Sequence, residues 1–181
     1  ILDFTLSFIG SLLFLPFFLV IAIAIRLDSR GPAIFKHARI GKDGQPFQMY
    51  KFRTMYQNVK EADFSPRDIE DKRVTSVGRF LRKSSLDEVP QLWNVLKGEM
   101  SLVGPRPEMP FLVEKYTNWQ KKRLDVKPGI TGLWQILGRK DLPLTENIEY
   151  DFYYIKNRST LLDLVILFKT AVAVVTGRGA Y

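Results

Sequence analysis

The chain has no cysteine and a single histidine, His37. Without thiols, neither a disulfide framework nor a thiolate zinc site can form. One histidine excludes a multi-histidine metal centre, so any metal held here is a hard, oxygen-bound ion such as magnesium. Carboxylates are scarcer than cations: 19 Asp and Glu stand against 27 Lys and Arg, for a formal charge of +8. A basic balance fits three kinds of partner, namely nucleic acid, anionic lipid head groups or a phosphorylated substrate. The cations lie among prolines and acids rather than on a reading helix or a stacking platform, so no nucleic-acid partner is expected. There is no internal repeat and no low-complexity tract. A length of 181 residues accommodates one domain with its own core plus a membrane segment.

Charge is missing altogether from Phe4 to Ile25. As a straight helix this run would be about 33 Å long, enough to cross the hydrocarbon core. It is too long for a secretory signal, and no small-residue cleavage site follows it. Arg26, Arg30 and Lys36 come next, and such a cationic flank keeps the following domain in the cytoplasm. Pro16 sits mid-run and removes one helical hydrogen bond. Two arrangements are open. One is a kinked single pass, favoured because exposed backbone at a break is costly in lipid. The other is a helix-break-helix hairpin whose halves, about 16 Å each, enter and leave by one leaflet.

Downstream, Ala33 to Thr54 reads as a β-hairpin around the turn signal Gly41-Lys42-Asp43-Gly44. Tyr56 to Lys72 is polar and mixed in charge, a helix followed by a surface loop. Val74 to Lys83, Leu86 to Leu96 and Glu108 to Arg123 are predicted helices, the last with an apolar and a basic face that suits either a core or a lipid surface. Pro128 to Gly132 reads as a loop. Leu161 to Val175 is an apolar helix interrupted by Asp163 and Lys169, which packs on the domain or skims the interface.

The chemistry concentrates in two stretches, Ser84 to Asn94 and Gly104-Pro105-Arg106-Pro107. Asp87 and Glu88 are adjacent carboxylates. Ser85-Leu86-Asp87-Glu88 has the form of a capping box, although a cap at Ser85 would put Pro90 where a helical N–H should donate. A cap at Asp87 would place Pro90 in the first turn, where it is tolerated. Arg79, Arg82 and Lys83 lie upstream, and Arg106 is held between two prolines. A pre-set guanidinium can grip two phosphate oxygens. A carboxylate attacks a diphosphate only if cations neutralise the phosphate oxygens. Helical neighbours point about 100° apart, so different roles suit Asp87 and Glu88 better than one shared role.

Taken in order, Lys51-Phe52-Arg53-Thr54-Met55, the Ser85 to Gln91 stretch, Gly104 to Pro107, Pro128 to Gly132, Gly138-Arg139, Tyr150 to Tyr154 and Gly177 to Tyr181 resemble the bacterial sugar transferases, the monotopic polyprenyl-phosphate phosphoglycosyl transferases. The resemblance covers nearly the whole chain. It implies an α+β, mostly helical fold. Residues 1–27 would form a re-entrant membrane helix broken near Pro16, and residues 28–181 a cytoplasmic catalytic domain. A small β-hairpin and amphipathic interfacial helices would surround the active site. It implies transfer of a sugar 1-phosphate from a UDP-sugar to undecaprenyl phosphate, through a covalent aspartyl intermediate and with Mg2+. Asp87 would be the nucleophile and Glu88 the metal ligand. Lys51, Arg53, Arg82, Pro105, Arg106, Arg139 and Asp151 would form the substrate-binding set. The family's break follows a Ser-Pro pair; here the pair is Leu15-Pro16. The expected location is the bacterial inner membrane, with the domain on the cytoplasmic face and a homo-oligomer open. The competing class is a non-catalytic scaffold that holds anionic lipid on its basic face.

Overall fold

Helix α1 (Leu2–Asp28) runs through Pro16 as one element; neither a break nor a hairpin is shown there. The computed structural model describes residues 2–57, 71–137 and 148–176. One face of α1 carries Asp3, Ser7, Gly10, Phe14, Phe18, Ile21, Ile25 and Asp28, all at least partly buried. That spacing of three and four is the helical period, so the stripe lies along the domain. The opposite face exposes Phe4, Phe8, Leu12, Leu15, Leu19 and Ile23. Both faces are apolar, and the helix is long and apolar enough to cross a membrane.

Each end of α1 is tied down by polar groups. At its start, Asp3 accepts hydrogen bonds from Ser101 Oγ at 2.7 Å and from Leu102 N at 3.0 Å. At its end, Arg53 donates to Ser29 O at 2.7 Å and to Arg30 O, carbonyls beyond the last helical turn, and to Ile25 O at 3.3 Å, which also accepts from Ser29 N at 3.1 Å. Asp28 accepts from Val77 N at 3.0 Å, one of the orphan donors where the next helix starts.

The expected hairpin forms from β1 (Ile34–Ile40) and β2 (Pro46–Phe52), paired antiparallel with Phe35 opposite Lys51 and Arg39 opposite Phe47. A short turn at Lys42–Gly44 closes it, with Asp43 at φ 56. Helix α2 (Ser76–Lys83) follows, capped by Thr75, whose side chain accepts from Gly78 N. A Cβ at Gly78 would lie 2.1 Å from Thr54 O, so only glycine lets α2 sit this close to the end of β2. The expected helix from Leu86 to Leu96 is split. Ser85 takes a left-handed conformation at φ 56 and makes no side-chain cap bond; a 3-10 turn covers Leu86–Glu88, and α3 (Gln91–Leu96) begins after Pro90. The capping box is therefore absent, and the proline starts a new helix rather than sitting in the first turn of an old one.

Beyond α3 the expectations diverge further. Strand β3 (Ser101–Val103) pairs in parallel with β4 (Gly129–Thr131), so the Pro128 to Gly132 stretch is a strand and not a loop. A Cβ at Gly129 would meet Gly104 N at 2.1 Å, a close approach that only glycine permits. The expected helix from Glu108 to Arg123 divides into α4 (Pro110–Val113), α5 (Asn118–Lys121) and a 3-10 turn at Lys122–Asp125. Thr117 and Gln120 form a capping box there, and a new N-cap ends the preceding helix. Helices α6 (Leu133–Leu137), α7 (Ile148–Asn157) and α8 (Thr160–Val175) complete the chain. The expected helix and loop from Tyr56 to Lys72 fall largely outside the described residues. The observed class, mostly helical α+β with a small hairpin, is the expected one.

Two apolar clusters hold this arrangement. One joins the hairpin, α3, β3, α6, α7 and α8 through Phe47, Met49, Val95, Leu102, Tyr154 and Ile166. The other joins α1, the hairpin and α2 through Ile25, Phe52 and Leu81. Asp163 faces the domain, 2.7 Å from the Tyr154 hydroxyl, while Leu161, Leu164, Val165, Phe168 and Val175 of α8 are exposed.

Candidate active site

The left-handed turn at Ser85 and the 3-10 turn after it deliver Asp87 and Glu88 to the end of β2. Lys51 reaches both: its Nζ is 2.6 Å from Glu88 Oε1 and 3.8 Å from Asp87 Oδ2. Asp87 is buried at 9% exposure. Burial pushes its carboxyl above the usual range and the Glu88 charge adds to this, against the pull of Lys51 and Arg82. For Glu88 burial acts upward too, but Lys51, Arg106 and a hydrogen bond from Gln91 outweigh it and hold the group low. Two neighbours in sequence are thus driven apart in acidity, a pattern that separates roles. Arg82 is fixed by its Nε bond to Thr54 Oγ1 at 2.9 Å.

Arg106 is positioned from behind. Gly104 N donates to Thr131 O, and Gly129 N donates to Pro105 O, each at 2.9 Å, so the β3–β4 pairing carries into the loop. Two buried guanidiniums then take consecutive carbonyls: Arg123 Nη2 donates to Arg106 O at 3.1 Å, and Arg39 Nη1 reaches Pro107 O at 3.5 Å. Arg123 is itself locked by Asp151 at 2.7 Å, with both side chains 2% exposed, and by the Tyr116 hydroxyl. Burial raises the pKa of Asp151 and pushes that of Tyr116 up to about 12, in both cases against the pull of Arg123. Burial, with Arg106 close by, lowers Arg39 to about 10.

The structure therefore gathers Lys51, Arg82 and Arg106 around the dyad. It does not bring Arg53 there: the Arg53 guanidinium is spent on the carbonyls that end α1. Asp151 is likewise not a ligand-facing group but the buried partner of Arg123. Pro105 is a buried loop residue whose carbonyl serves β4. Arg139 lies outside the described residues. Arg39, Gln91, Tyr116 and Arg123 were not anticipated. Arg39 was within reach, because its place in the hairpin register sets it on the same side as Lys51. Arg123 carries no local signal, since its partner is 28 residues away. Among the described residues no group of three or more acidic or histidine side chains forms a ready metal cage.

The family model of the bacterial sugar transferases matches residues 1–177. The chain belongs to the bacterial sugar transferase family. Among its relatives, the undecaprenyl-phosphate galactose phosphotransferase of Salmonella typhimurium is 45% identical over 168 residues, covering 83% of this chain and 35% of that protein. The UDP-galactose-lipid carrier transferase of Erwinia amylovora is 40% identical, over 98% of this chain and 41% of its own length. The exopolysaccharide production protein ExoY of Rhizobium meliloti is 42% identical, over 96% of this chain and 83% of its own. The chain thus spans well under half the length of the first two relatives.

Proposed function

We propose that this chain transfers a sugar 1-phosphate from a UDP-sugar to undecaprenyl phosphate and releases UMP, as a membrane step in cell-surface polysaccharide assembly. The observation that carries this reading is the dyad itself: one buried carboxylate of raised pKa and one of lowered pKa, bridged by one lysine and flanked by two arginines. The relatives named for undecaprenyl-phosphate galactose phosphotransfer and for UDP-galactose–lipid carrier transfer point to the same chemistry.

Asp87 is the nucleophile. Its carboxylate oxygen bonds to the sugar-bearing phosphorus as the bond from that phosphorus to the bridging oxygen breaks, and UMP leaves with the electron pair. The phosphate oxygen of undecaprenyl phosphate then attacks the same phosphorus. The aspartyl oxygen departs, which restores the carboxylate and yields the polyprenyl diphosphate sugar. Lys51 and Arg106 neutralise the phosphate oxygens that would otherwise repel the attacking carboxylate. Partial burial keeps Asp87 poorly hydrated and so more reactive. Two adjacent carboxylates beside substrate phosphates fit magnesium, which takes few protein ligands. Glu88, held ionised, would be the ligand, and the ion would supply further charge neutralisation at the diphosphate.

A monotopic attachment accompanies this reading. Both ends of α1 are bonded to one domain, through Asp3 and through Arg53. A helix standing across the bilayer, with its domain on one side, would leave one of those ends far from the domain. A helix that lies along the domain within one leaflet keeps both ends at the same face and brings the dyad to the depth of the polyprenyl phosphate head group.

The decisive experiment incubates the enzyme with a UDP-sugar alone and weighs the intact protein. A sugar-phosphate adduct on Asp87, absent in Asp87→Asn, is expected. Product formation without any adduct would refute the covalent route. EDTA should abolish UMP release and magnesium restore it; undiminished turnover in EDTA would remove Glu88 as a ligand.

A further inference from the structure

The two edges of the hairpin are treated differently. On β2 the outward backbone groups are covered by Asn94, whose Oδ1 accepts from Tyr50 N at 3.0 Å and whose Nδ2 donates to Gln48 O at 2.7 Å. Tyr50 stands opposite Lys36, and Gln48 opposite Ala38. In an antiparallel pair, residues directly opposite share one orientation, so the N–H and C=O of Lys36 and Ala38 point away from β2. Ile40 follows the same rule, and its N–H is taken by Glu108 O at 3.0 Å. Among the described residues nothing takes the backbone groups of Lys36 and Ala38. They face a groove of about 450 Å³, whose far wall is Met109, Pro110 and Phe111.

An open strand edge ordinarily invites another strand. Here the bond from Ile40 to Glu108 closes one end, and of the outward residues Ile34, Lys36 and Ala38 only the last two line the groove. A walled stretch of that length suits a small planar heterocycle. Resting on the phosphoglycosyl transfer reading above, we propose that this groove is the nucleobase subsite of the donor and takes uracil. Along the edge come the Lys36 N–H, the Lys36 C=O and the Ala38 N–H: donor, acceptor, donor. Uracil presents O4, N3–H and O2 in the complementary order, whereas cytosine presents a donor and two acceptors and mismatches. The Phe111 ring, partly exposed on the opposite wall, offers a stacking face.

The groove is also correctly placed for a nucleotide. His37, on its floor, stands opposite Met49, and Lys51 lies two residues further along β2. Such diagonal neighbours are about 7–8 Å apart, and Lys51 touches the dyad. A ribose and a diphosphate bridge a gap of that size. Arg39 lies along the way, with Nη2 3.3 Å from His37 Nδ1 and its other nitrogen on the Arg106 loop.

The test photocrosslinks wild-type protein in bilayers with 5-iodo-UMP, which leaves the hydrogen-bonding edge of the base intact, and maps the attachment by mass spectrometry. Attachment within residues 36–38 or 109–111 is expected. Ala38→Pro deletes one outward N–H without touching the ladder to β2; it should raise the donor KM about tenfold, the loss of one hydrogen bond, and narrow the preference for a UDP-sugar over a CDP-sugar. Phe111→Ala should weaken crosslinking without altering that preference. Crosslinks confined to other segments, or a donor KM within twofold of wild type in both folded variants, would overturn the subsite. So would a concentration-dependent dimer that Ala38→Pro abolishes, with UMP leaving the groove unlabelled. Crosslinking by UMP reads the groove whether or not transfer is observed, so failure of the subsite is separable from failure of the transferase reading.

Discussion

Asp87 and Glu88 are neighbours in the chain with opposite electrostatic fates, and the difference lies in which cation each meets. Lys51 is 2.6 Å from Glu88 but 3.8 Å from Asp87. The Asp87 pKa is raised, chiefly by burial. The group is therefore protonated, and inert as a nucleophile, at pH values where an ordinary aspartate is ionised. The acid limb of the rate of UMP release should then lie above the usual aspartate range. Lys51→Met removes a charge that opposes this shift, so the limb should move to still higher pH while the maximal rate falls. An unmoved limb would mean that Asp87 does not govern the profile. Arg123 and Asp151 make a second residue-scale prediction. Removing one member of a buried pair strands the other, at a cost of about 3–5 kcal/mol, so Asp151→Asn should lower chemical-denaturation stability by that order. Asp151→Glu, which keeps the charge, should recover much of it, and the donor KM should track the recovery because Arg123 holds the Arg106 carbonyl.

At the scale of elements, the site is assembled where short pieces end. The turn after α2 presents the dyad, the parallel pair β3–β4 presents Arg106, and the end of β2 presents Lys51. Gly78 sets the first of these by letting α2 close on Thr54, the residue that also holds Arg82. Gly78→Ala puts a methyl 2.1 Å from a backbone oxygen, and neither partner is a flexible side-chain tip. Overpacking of this kind costs about 1–3 kcal/mol, and thermal unfolding should register it. The shift should also reduce activity beyond the loss of folded protein, because Arg82 moves with α2. Unchanged melting and turnover would show that the two elements separate freely. The same scale explains the misread helices. Hydrophobic spacing suggested continuous helices over Leu86 to Leu96 and Glu108 to Arg123, but Ser85 in the left-handed region, Pro90 and the Thr117 capping box each stop or restart the backbone. Periodicity reports which side chains face inward and is insensitive to such local interruptions.

For the whole molecule, the governing fact is that one side is apolar and exposed. The outward face of α1 and the exposed side of α8 present large apolar residues, while the charged groups of the site lie on the domain that both helices pack against. Membrane association should therefore survive high salt, which would strip a protein held only by its +8 charge. Replacing Leu12, Leu15 and Leu19 together with Glu should release the protein from liposomes without unfolding the domain, because these side chains contact no core; retention of that variant would mean that another surface carries the attachment. The chain alone determined the apolar helix, the hairpin and the dyad with Lys51 and Arg106 as its cations, because composition, turn chemistry and ordered motifs are local properties that survive without a fold. Tertiary structure alone decided that Arg53 clips α1, that Asp151 serves Arg123, that Arg39 and Arg123 hold the Arg106 loop, and that the stretch after Pro128 is a strand. Each of those depends on a partner tens of residues away, and the pairing of buried charges and strand edges is settled by which surfaces meet when the core closes, not by the residues beside them.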